Sequence, residues 1–315
     1  MALCVASIAV VVNPSAGRNR GVAARVERLA GVLGAEGWVR ETRSLEQLAD
    51  VARECQARRV DLLGVCGGDG TLARTLTALV RAYGADALPC ILPLRAGTMN
   101  TVARAMGCSA WHPERMLAEV MAESRRGAPL AHTEHQLLSI NGSQFGFMIG
   151  AGVPVEFLRR YYAIGRRGAV GALRLLATLG ASAIAGRGAG VALFRPLPAR
   201  LACDGDPGPF DAYSVVYAST IEDIGLGFRP TYRAREQAGQ FHVFAGAIGP
   251  REFVRCLPAI RLGRATGSPR VLDRVTSRLC VEFRDPTLYM VDGDIMEPTT
   301  RLEVALGPLV RVIRR

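Results

Sequence analysis

The stretch that most constrains the fold is residues 60–72, which reads V-D-L-L-G-V-C-G-G-D-G-T-L. The apolar run 60–65 has β-strand character, and it is followed by Gly67, Gly68 and Gly70. Apolar residues at helical spacing, beginning with Leu72, come next without a gap. The pattern predicts a strand, a tight turn and the start of a helix.

This glycine-rich turn is suited to binding phosphate. Glycines let backbone N–H groups approach a ligand, and the helix N-terminus near Thr71 carries roughly half a positive charge. Asp69 is the exception, because a carboxylate there repels phosphate unless it holds a divalent cation or accepts a proton from an attacking hydroxyl. The turn therefore indicates phosphoryl chemistry with Mg²⁺. The plainer alternative is that G-G-D-G is only a turn.

Composition limits the class of protein. The chain has 315 residues, enough for two domains, and its 49% hydrophobic and 21% charged residues are typical of folded globular proteins. The net charge is +11, and every basic residue is arginine. Because the planar guanidinium binds phosphate well, this bias fits a protein that meets acidic membranes or nucleic acid, although coding composition explains it equally.

Cysteine usage and hydropathy bear on the compartment. The eight cysteines include no C-x-x-C pair, which favours free thiols in a reducing cytosol. The apolar segment 1–12 has no basic region before it and runs into N-P-S-A-G, so it predicts a first strand rather than a signal peptide. The most apolar later run, 175–185, is too short to span a bilayer. We therefore expect a cytoplasmic protein without transmembrane segments.

Residues 1–126 alternate strand and helix patterns, which predicts a parallel, Rossmann-like sheet. Asn13 and Ser15 follow the first strand, at the sheet edge where open α/β sheets bind ligands. The loop A-G-T-M-N at 96–100 follows a later strand, and we expect Thr98 to cap the next helix or to meet a phosphate or ribose. The predicted strands are 6–12, 39–42, 60–65 and 89–94, and the predicted helices are 21–36, 45–58, 72–83 and one that starts at Asn100.

From about residue 128 the pattern changes to short alternating runs separated by Gly and Pro, which is typical of an antiparallel β domain. Residues 155–179, between these runs, have a helical pattern rich in arginine and tyrosine. This segment either lies against a membrane surface or is a solvated helix packed on the β domain. The predicted strands are 136–140, 143–149, 191–194, 212–218, 240–245, 279–283, 288–291 and 301–312. The arginines and tyrosines of the helical segment are Arg159, Arg160, Tyr161, Tyr162, Arg166, Arg167 and Arg174.

Four motifs together resemble those of the bacterial diacylglycerol kinase-like lipid kinases, which are related to sphingosine and ceramide kinases. They are N-P-S-A-G at Asn13, G-G-D-G-T at Gly67, A-G-T-M-N at Ala96 and V-D-G-D at Val291. The resemblance covers the whole chain, because segments 150–158 and 301–312 also look like that family's C-terminal domain. G-G-D-G-T alone is less specific, since NAD kinases share it.

The resemblance implies an ATP-dependent lipid kinase that uses Mg²⁺ and acts on a lipid such as diacylglycerol in phospholipid biosynthesis. It implies an α/β nucleotide-binding domain at residues 1–130 and a β-sandwich lipid-substrate domain at 131–315, with the site in the cleft. Asp294 would be the acid–base residue, Asp292 the first acid of its motif, and Asp69 the organiser of magnesium and phosphate. The implied nucleotide-binding residues are Asn13, Ser15, Thr42, Gly67, Gly68, Asp69, Gly70, Thr71, Leu72, Ala73, Thr98 and Asn100.

Three positions depart from the family's pattern. Asp294 stands where the family usually has Glu, which shortens the reach of the carboxylate by about 1.5 Å. Ala238 replaces the Asp of a family loop that holds a structural Mg²⁺, so we do not expect that metal site. Thr101 stands where the family frequently has Asp.

Other interpretations stay open at this point. An NAD kinase-like enzyme for a soluble substrate shares the glycine-rich turn, although its companion Asn-Glu motif is not evident. A non-catalytic nucleotide or lipid sensor is suggested by Asp294 and Ala238. We expect transient, peripheral contact with the anionic inner face of the membrane and no nucleic-acid partner. The oligomeric state, a homodimer included, is left open.

Overall fold

The computed structural model describes residues 5–17, 22–84, 86–164, 168–186 and 188–314. The chain divides into two compact units. The first unit is Met1–Gln136 with Pro308–Arg315, and the second unit is Leu137–Gly307. The assignment of nucleotide binding to one unit and lipid binding to the other stays a prediction.

The first unit is built on a parallel sheet. Strand β1 lies in its middle and pairs in parallel with β2 on one side and β3 on the other, and β3 pairs in parallel with β4. The elements, in chain order, are β1 (Ile8–Val12), α1 (Val22–Leu33), β2 (Gly37–Glu41), α2 (Leu45–Ala57), β3 (Leu62–Gly67), α3 (Asp69–Tyr83), β4 (Cys90–Arg95), α4 (Thr101–Ala105) and α5 (Pro113–Arg125). A short 3₁₀ turn, Gly34–Glu36, joins α1 to β2.

Burial explains why these segments adopt these structures. All residues of β1 and β3 are buried, as expected for continuous apolar runs in a parallel sheet that is covered on both faces. Helix α2 begins at its cap Ser44, whose hydroxyl accepts a hydrogen bond from the Gln47 amide. Helix α3 buries Leu72, as its spacing predicts, but it begins three residues earlier, at Asp69. Asp69 therefore lies in the first turn of a helix rather than in the loop before it.

The second unit is antiparallel, with helices inserted between its strands. Its elements are β5 (His132–Ile140), which starts in the first unit, β6 (Gln144–Gly146), β7 (Met148–Gly152), α6 (Val153–Ala163), α7 (Ala169–Ile184), α8 (Gly188–Ala192), β8 (Leu197–Cys203), β9 (Asp206–Pro207), β10 (Ala212–Tyr213), β11 (Val215–Ser219), β12 (Phe241–Gly246), α9 (Pro250–Leu262), β13 (Val271–Thr276), β14 (Arg278–Val291) and β15 (Asp294–Ile313). Strand β11 pairs antiparallel with β7 and β12, and β14 pairs antiparallel with β7, β8 and β15. The predicted fold class, an α/β part followed by an antiparallel β part, is confirmed.

The end of β15 belongs to the first unit. Val312 pairs in parallel with Ile91 of β4, and the Arg314 amide donates a hydrogen bond to the carbonyl of Ala131. Val312 is also buried. The last strand of the chain thus contributes to the core of the unit that begins the chain.

In the second unit, one predicted element is wrong and another is divided in two. Residues 191–194, predicted as a strand, overlap α8, because a short apolar run does not distinguish a strand from a helix by periodicity alone. The helical pattern predicted at 155–179 is confirmed, but it belongs to two helices, α6 and α7. Gly168 has a φ of 120°, which a right-handed helix does not allow, so α7 begins separately at Ala169. Arg166 and Arg167 lie outside the described residues.

The hydropathy of the helices and the state of the cysteines can be compared with the predictions from the sequence. None of the helices in the described ranges is long and apolar enough to cross a membrane. Seven cysteines are free thiols and six of these are buried, while Cys4 lies outside the described residues. Burial raises the pKa of Cys90 and of Cys108 to about 11, so these thiols are protonated near neutral pH.

Candidate functional site

Three loops meet at the carboxyl edge of the parallel sheet. The loop after β1 contacts the start of α3, because the Asn13 side-chain amide donates a 2.8 Å hydrogen bond to the Thr71 hydroxyl. The loop after β4 contacts the turn after β3, since the amides of Ala96 and Gly97 both donate to the Gly67 carbonyl at 2.9 Å. The first, third and fourth strands thus place their following loops together, as the motifs predict.

Glycines allow these loops to approach closely. A Cβ atom on Gly97 would lie 2.3 Å from the Cα of Gly68, and one on Gly67 would lie 2.4 Å from the Cβ of Thr71. Both distances are far shorter than any real carbon–carbon contact. The sequence suggests that these glycines let backbone N–H groups approach a ligand. The structure shows that close packing around Gly67 and Gly97 also requires them.

We expect Gly97→Ala to lower the free energy of unfolding by roughly 1–3 kcal/mol or more, because the new methyl group overlaps main-chain atoms of Gly68. Urea unfolding followed by circular dichroism measures this change. The matched control is Gly31→Ala, at an exposed position of α1 where a Cβ meets nothing within 4 Å. The control is expected to add about 0.5–1 kcal/mol through helix propensity. Equal unfolding midpoints for both variants would contradict the packing argument.

Asp69 makes two contacts that the sequence does not reveal. Its Oδ2 atom accepts a hydrogen bond from the Thr101 amide at 2.8 Å, and its Oδ1 atom accepts one from the Val102 amide at 2.9 Å. These amides form the first turn of α4, which has no acceptors of its own for them. Asp69 is the first residue of α3, and its side chain also fixes the start of α4.

The loop before α4 is braced by Asn100. This residue is buried and has a left-handed backbone with φ 50°. Its side-chain oxygen accepts from the Gly97 amide at 3.0 Å, and its side-chain nitrogen donates to the Gly97 carbonyl at 2.8 Å. The prediction that Thr98 caps α4 is wrong, because Asn100 is the N-cap residue. Contact of Thr98 with a nucleotide stays a prediction.

The first turn of α3 presents backbone amides at this edge. A helix leaves its first N–H groups without intrahelical acceptors, so the Gly70 and Thr71 amides are suited to a phosphate. The Leu72 amide already donates to the Gly68 carbonyl. The side chains of Leu72 and Ala73 are buried, so they contribute packing rather than ligand contacts.

The remaining predicted nucleotide contacts lie at the ends of β1 and β2. Ser15 is exposed, and its amide donates to the Asn13 side-chain oxygen at 2.9 Å, which shapes the turn after β1. Thr42 follows β2 and is buried, and its amide donates to the carbonyl of Val12 at 2.9 Å. The structure therefore brings Asn13 to the α3 turn directly and places Thr42 on the neighbouring strand end. Whether these residues touch a nucleotide stays a prediction.

The V-D-G-D motif of the second unit forms the turn between β14 and β15. Asp292 and Gly293 have positive φ values of 46° and 89°, as a tight two-residue hairpin turn requires. Asp294 is the first residue of β15, is half-buried, and lies opposite Val291. The Tyr162 hydroxyl of α6 donates a 2.5 Å hydrogen bond to the Gly293 carbonyl. Sequence reasoning noted Tyr162 only as part of an arginine- and tyrosine-rich segment.

Asp292 is anchored in the interior of the second unit. It is 2% exposed, and its Oδ1 atom accepts hydrogen bonds from the Phe147 amide at 2.9 Å and the Met148 amide at 2.8 Å. Its own amide donates to the Met148 carbonyl at 3.1 Å. These bonds give Asp292 a structural role at the turn that carries Asp294. A part for Asp292 in the chemistry stays a prediction.

We expect Asp292→Ala to destabilise the protein by about 2–4 kcal/mol, because two buried amides lose their acceptor. Asp292→Asn is the control, since its side-chain oxygen preserves an acceptor and its cost should be smaller. Urea unfolding of the three proteins gives the comparison. If Asp292→Ala unfolds at the same urea concentration as the parent chain, the anchoring role is wrong.

The residues at the first-unit edge are compatible with a nucleotide-bound Mg²⁺. Magnesium is commonly held by one or two carboxylates together with phosphates and water. Asp69 supplies one carboxylate there, and because a carboxylate oxygen carries more than one lone pair, an amide hydrogen bond to it does not by itself prevent metal binding. Asp69 would therefore be the protein ligand of such an ion, with the phosphates providing the rest.

The segment 230–243, where the family resemblance implies a structural Mg²⁺, has a different arrangement. Ala238 is exposed, and the nearby carboxylates face cations, since Arg233 pairs with Glu236 at 2.7 Å and lies 3.5 Å from Asp273. Burial acts to raise the pKa of the Asp273 carboxyl, but the hydrogen bond with the fully buried His242 and the Arg233 charge hold it below its ordinary value. In the part of the chain that the structure describes, no group of three His, Cys, Asp or Glu side chains could hold a metal. These residues do not fit the implied ion.

Comparison with solved structures supports the fold. A Bacillus anthracis str. Sterne protein provisionally named a diacylglycerol kinase superposes with TM-score 0.72 at 17% identity, over 99% of this chain and 98% of that chain. A diacylglycerol kinase from the same strain gives TM-score 0.65 at 16% identity, over 99% and 97%. A third structure, again provisionally named a diacylglycerol kinase from that strain, gives TM-score 0.71 at 18% identity, over 99% and 98%. At these identities the likeness shows a shared two-domain fold.

Comparisons with protein families and with curated proteins test the family resemblance. No curated protein matches the sequence. Residues 7–132 match the model of the diacylglycerol kinase catalytic domain, and this range includes the loops after β1, β3 and β4. The resemblance drawn from the motifs is thus confirmed for this part of the chain: residues 7–132 are similar to the diacylglycerol kinase catalytic domain.

Proposed function

We propose that the protein is an ATP-dependent lipid kinase, which transfers the γ-phosphoryl group of ATP to a hydroxyl of a lipid such as diacylglycerol. The observation that carries the proposal is the meeting of three loops at the carboxyl edge of the parallel sheet, with the α3 amides and Asp69 together. This arrangement supports a phosphate site with one acidic residue for a cation. The catalytic-domain match at residues 7–132 supports the same activity.

The roles of the residues follow from their chemistry. The amides of Gly70 and Thr71 bind nucleotide phosphate, and Asn13 holds the Thr71 side chain in place. Asp69 would hold a magnesium ion, which would supply positive charge to the transferring phosphoryl group. Asp294 accepts the proton of the lipid hydroxyl as that oxygen attacks. The hydrogen bond from Tyr162 to the Gly293 carbonyl orients the turn that carries Asp294.

The direct test is a kinase assay with the purified chain, Mg²⁺, γ-labelled ATP and diacylglycerol in detergent micelles. We expect label in the phosphorylated lipid, and we expect Asp69→Ala and Asp294→Ala each to lower the labelling at least about a hundredfold. Asp285→Ala, at an exposed acidic position of β14, is the matched control and should retain activity. Activity at the level of the parent chain in both variants would overturn the assigned roles.

The same assay distinguishes a lipid kinase from a soluble-substrate kinase and from a non-catalytic binding protein. A panel of acceptors that includes NAD tests for a soluble-substrate kinase. A non-catalytic binding protein is favoured by one observation, namely that the Asp69 carboxylate already accepts two backbone hydrogen bonds. Tight ATP binding by calorimetry without turnover on a broad lipid panel would support that function instead.

We also propose a cytoplasmic location with peripheral membrane contact.

A further inference from the structure

One segment of the second unit carries a strong excess of positive charge. Between Glu156 and Asp204 the sequence contains eight arginines and no acidic residue. Its formal charge is therefore +8, against +11 for the whole chain. The segment includes α7 and α8. Such a one-sided charge attracts phosphate-rich surfaces and repels other basic proteins.

Helix α7 combines this charge with an exposed apolar face. Val170, Leu173, Arg174, Ala177 and Thr178 recur at intervals of three and four residues, and all are exposed. Val170 is 82% exposed and Leu173 is 59% exposed. A solvated helix normally places charged residues on such a face, whereas this face carries one arginine among apolar and small residues.

The helices that neighbour α7 also carry exposed arginines and apolar side chains. Helix α7 packs on α8 and α9. A Cβ atom on Gly186, just after α7, would lie 3.8 Å from Nη2 of Arg251 on α9, which places that guanidinium beside the end of α7. Arg174, Arg251 and Arg255 are all exposed, and among the described residues none of them forms an ion pair with a carboxylate. Eight large apolar side chains are exposed in the described part of the chain, and five of them lie on α6 to α9: Tyr162, Val170, Leu173, Val191 and Leu262.

We propose that Val170, Leu173, Arg174, Arg251 and Arg255, here called the docking face, bind the surface of a bilayer that contains anionic phospholipid. The two apolar side chains enter the boundary between headgroups and acyl chains, while the guanidinium groups bind lipid phosphates. The inference deepens the proposed function and rests on it, because a lipid kinase must reach a substrate held in a bilayer. A nucleic acid is the less suitable partner, because exposed Val170 and Leu173 have nothing to contact on a phosphate backbone.

Sedimentation of the full chain with vesicles tests the docking face. We expect binding to phosphatidylcholine vesicles that contain roughly one-third phosphatidylglycerol, little binding to phosphatidylcholine alone, and weaker binding at high salt. Arg174→Glu should lower the affinity roughly twentyfold, because it removes one positive charge and adds a negative one. Val170→Gln combined with Leu173→Gln should lower it at low and at high salt, because salt does not screen apolar insertion.

Matched controls lie in the first unit. Leu45→Gln alters a leucine on α2 that is 63% exposed, and Arg126→Glu alters an exposed arginine at the end of α5. Both controls should bind vesicles as the parent chain does. Circular dichroism of every variant checks that it is folded. If the parent chain binds no anionic vesicle, if the docking-face variants bind as well as the controls, or if RNA displaces the vesicles while binding through the same arginines, the inference is wrong.

The docking-face proposal and the kinase proposal can be disproved separately. Lipid dispersed in detergent micelles removes the need for a bilayer, so the docking-face variants should retain micellar activity and lose activity on vesicles. Vesicle binding through the docking face without phosphorylation of any lipid would overturn the proposed kinase and leave the docking face standing. Kinase activity on vesicles that is unchanged in the variants would overturn the docking face alone.

Discussion

Asp294→Ala is expected to lower kcat for lipid phosphorylation by about 10²- to 10⁴-fold, which is the usual contribution of a positioned acid–base group. The variant should fold normally, because Asp294 is half-buried at the start of β15 and its backbone pairing with Val291 does not need the carboxylate. The KM for ATP should change little, since Asp294 is not among the proposed phosphate-binding groups. Steady-state kinetics with diacylglycerol micelles and urea unfolding of the same preparation provide the two measurements.

Two further substitutions make this prediction sharper. Asp294→Glu restores the carboxylate that the family usually has and extends it by about 1.5 Å, so we expect it to keep substantial activity. Asp294→Asn keeps the size but cannot accept the proton, so we expect it to be as inactive as alanine. If Asn is as active as the parent chain, Asp294 does not act as a base. If Glu is inactive while Asp is active, the turn is shaped for the shorter side chain.

The sequence predicts the elements of the first unit well, because local patterns determine them. The spacing of Leu72, Leu76 and Leu79 on a 3.6-residue period predicts α3, and all three side chains are buried. The glycines at 67, 68 and 70 predict a turn before α3, and the structure places this turn at Gly68, with Gly67 ending β3 and Gly70 inside α3. The short apolar run at 191–194 is different, since it has the same composition whether it forms a strand or part of α8.

The sequence does not predict contacts between residues far apart in the chain. Asp69 and Thr101 are 32 positions apart, and Asp292 and Phe147 are 145 positions apart, yet each pair is joined by a hydrogen bond. No local motif shows which backbone amides will donate hydrogen bonds to these carboxylates. The same holds for Val312, whose pairing with Ile91 returns the end of the chain to the first unit. A structure is therefore needed to separate the structural roles of these acids from their chemical ones.

Asp69→Ala is expected to have a large effect on both stability and activity. Loss of the carboxylate leaves the amides of Thr101 and Val102 without acceptors, which should lower the free energy of unfolding by about 1–3 kcal/mol. It also removes the one proposed protein ligand of the magnesium ion, whose charge stabilisation is worth several kcal/mol, so kcat should fall by at least about 10²-fold. Urea unfolding and kinase assays over a range of Mg²⁺ concentrations measure the two effects.

Asp69→Asn separates positioning from charge. Its side-chain oxygen can still accept one of the two amide hydrogen bonds, so it should recover part of the lost stability. It carries no charge, so it should not recover activity, and any residual activity should need more Mg²⁺ than the parent chain needs. If Asp69→Asn is fully active with an unchanged Mg²⁺ requirement, Asp69 serves only to hold the start of α4. The Asp69 carboxylate would then be explained by its hydrogen bonds to the α4 backbone rather than by a cation, and the proposed phosphate site would depend on the α3 amides.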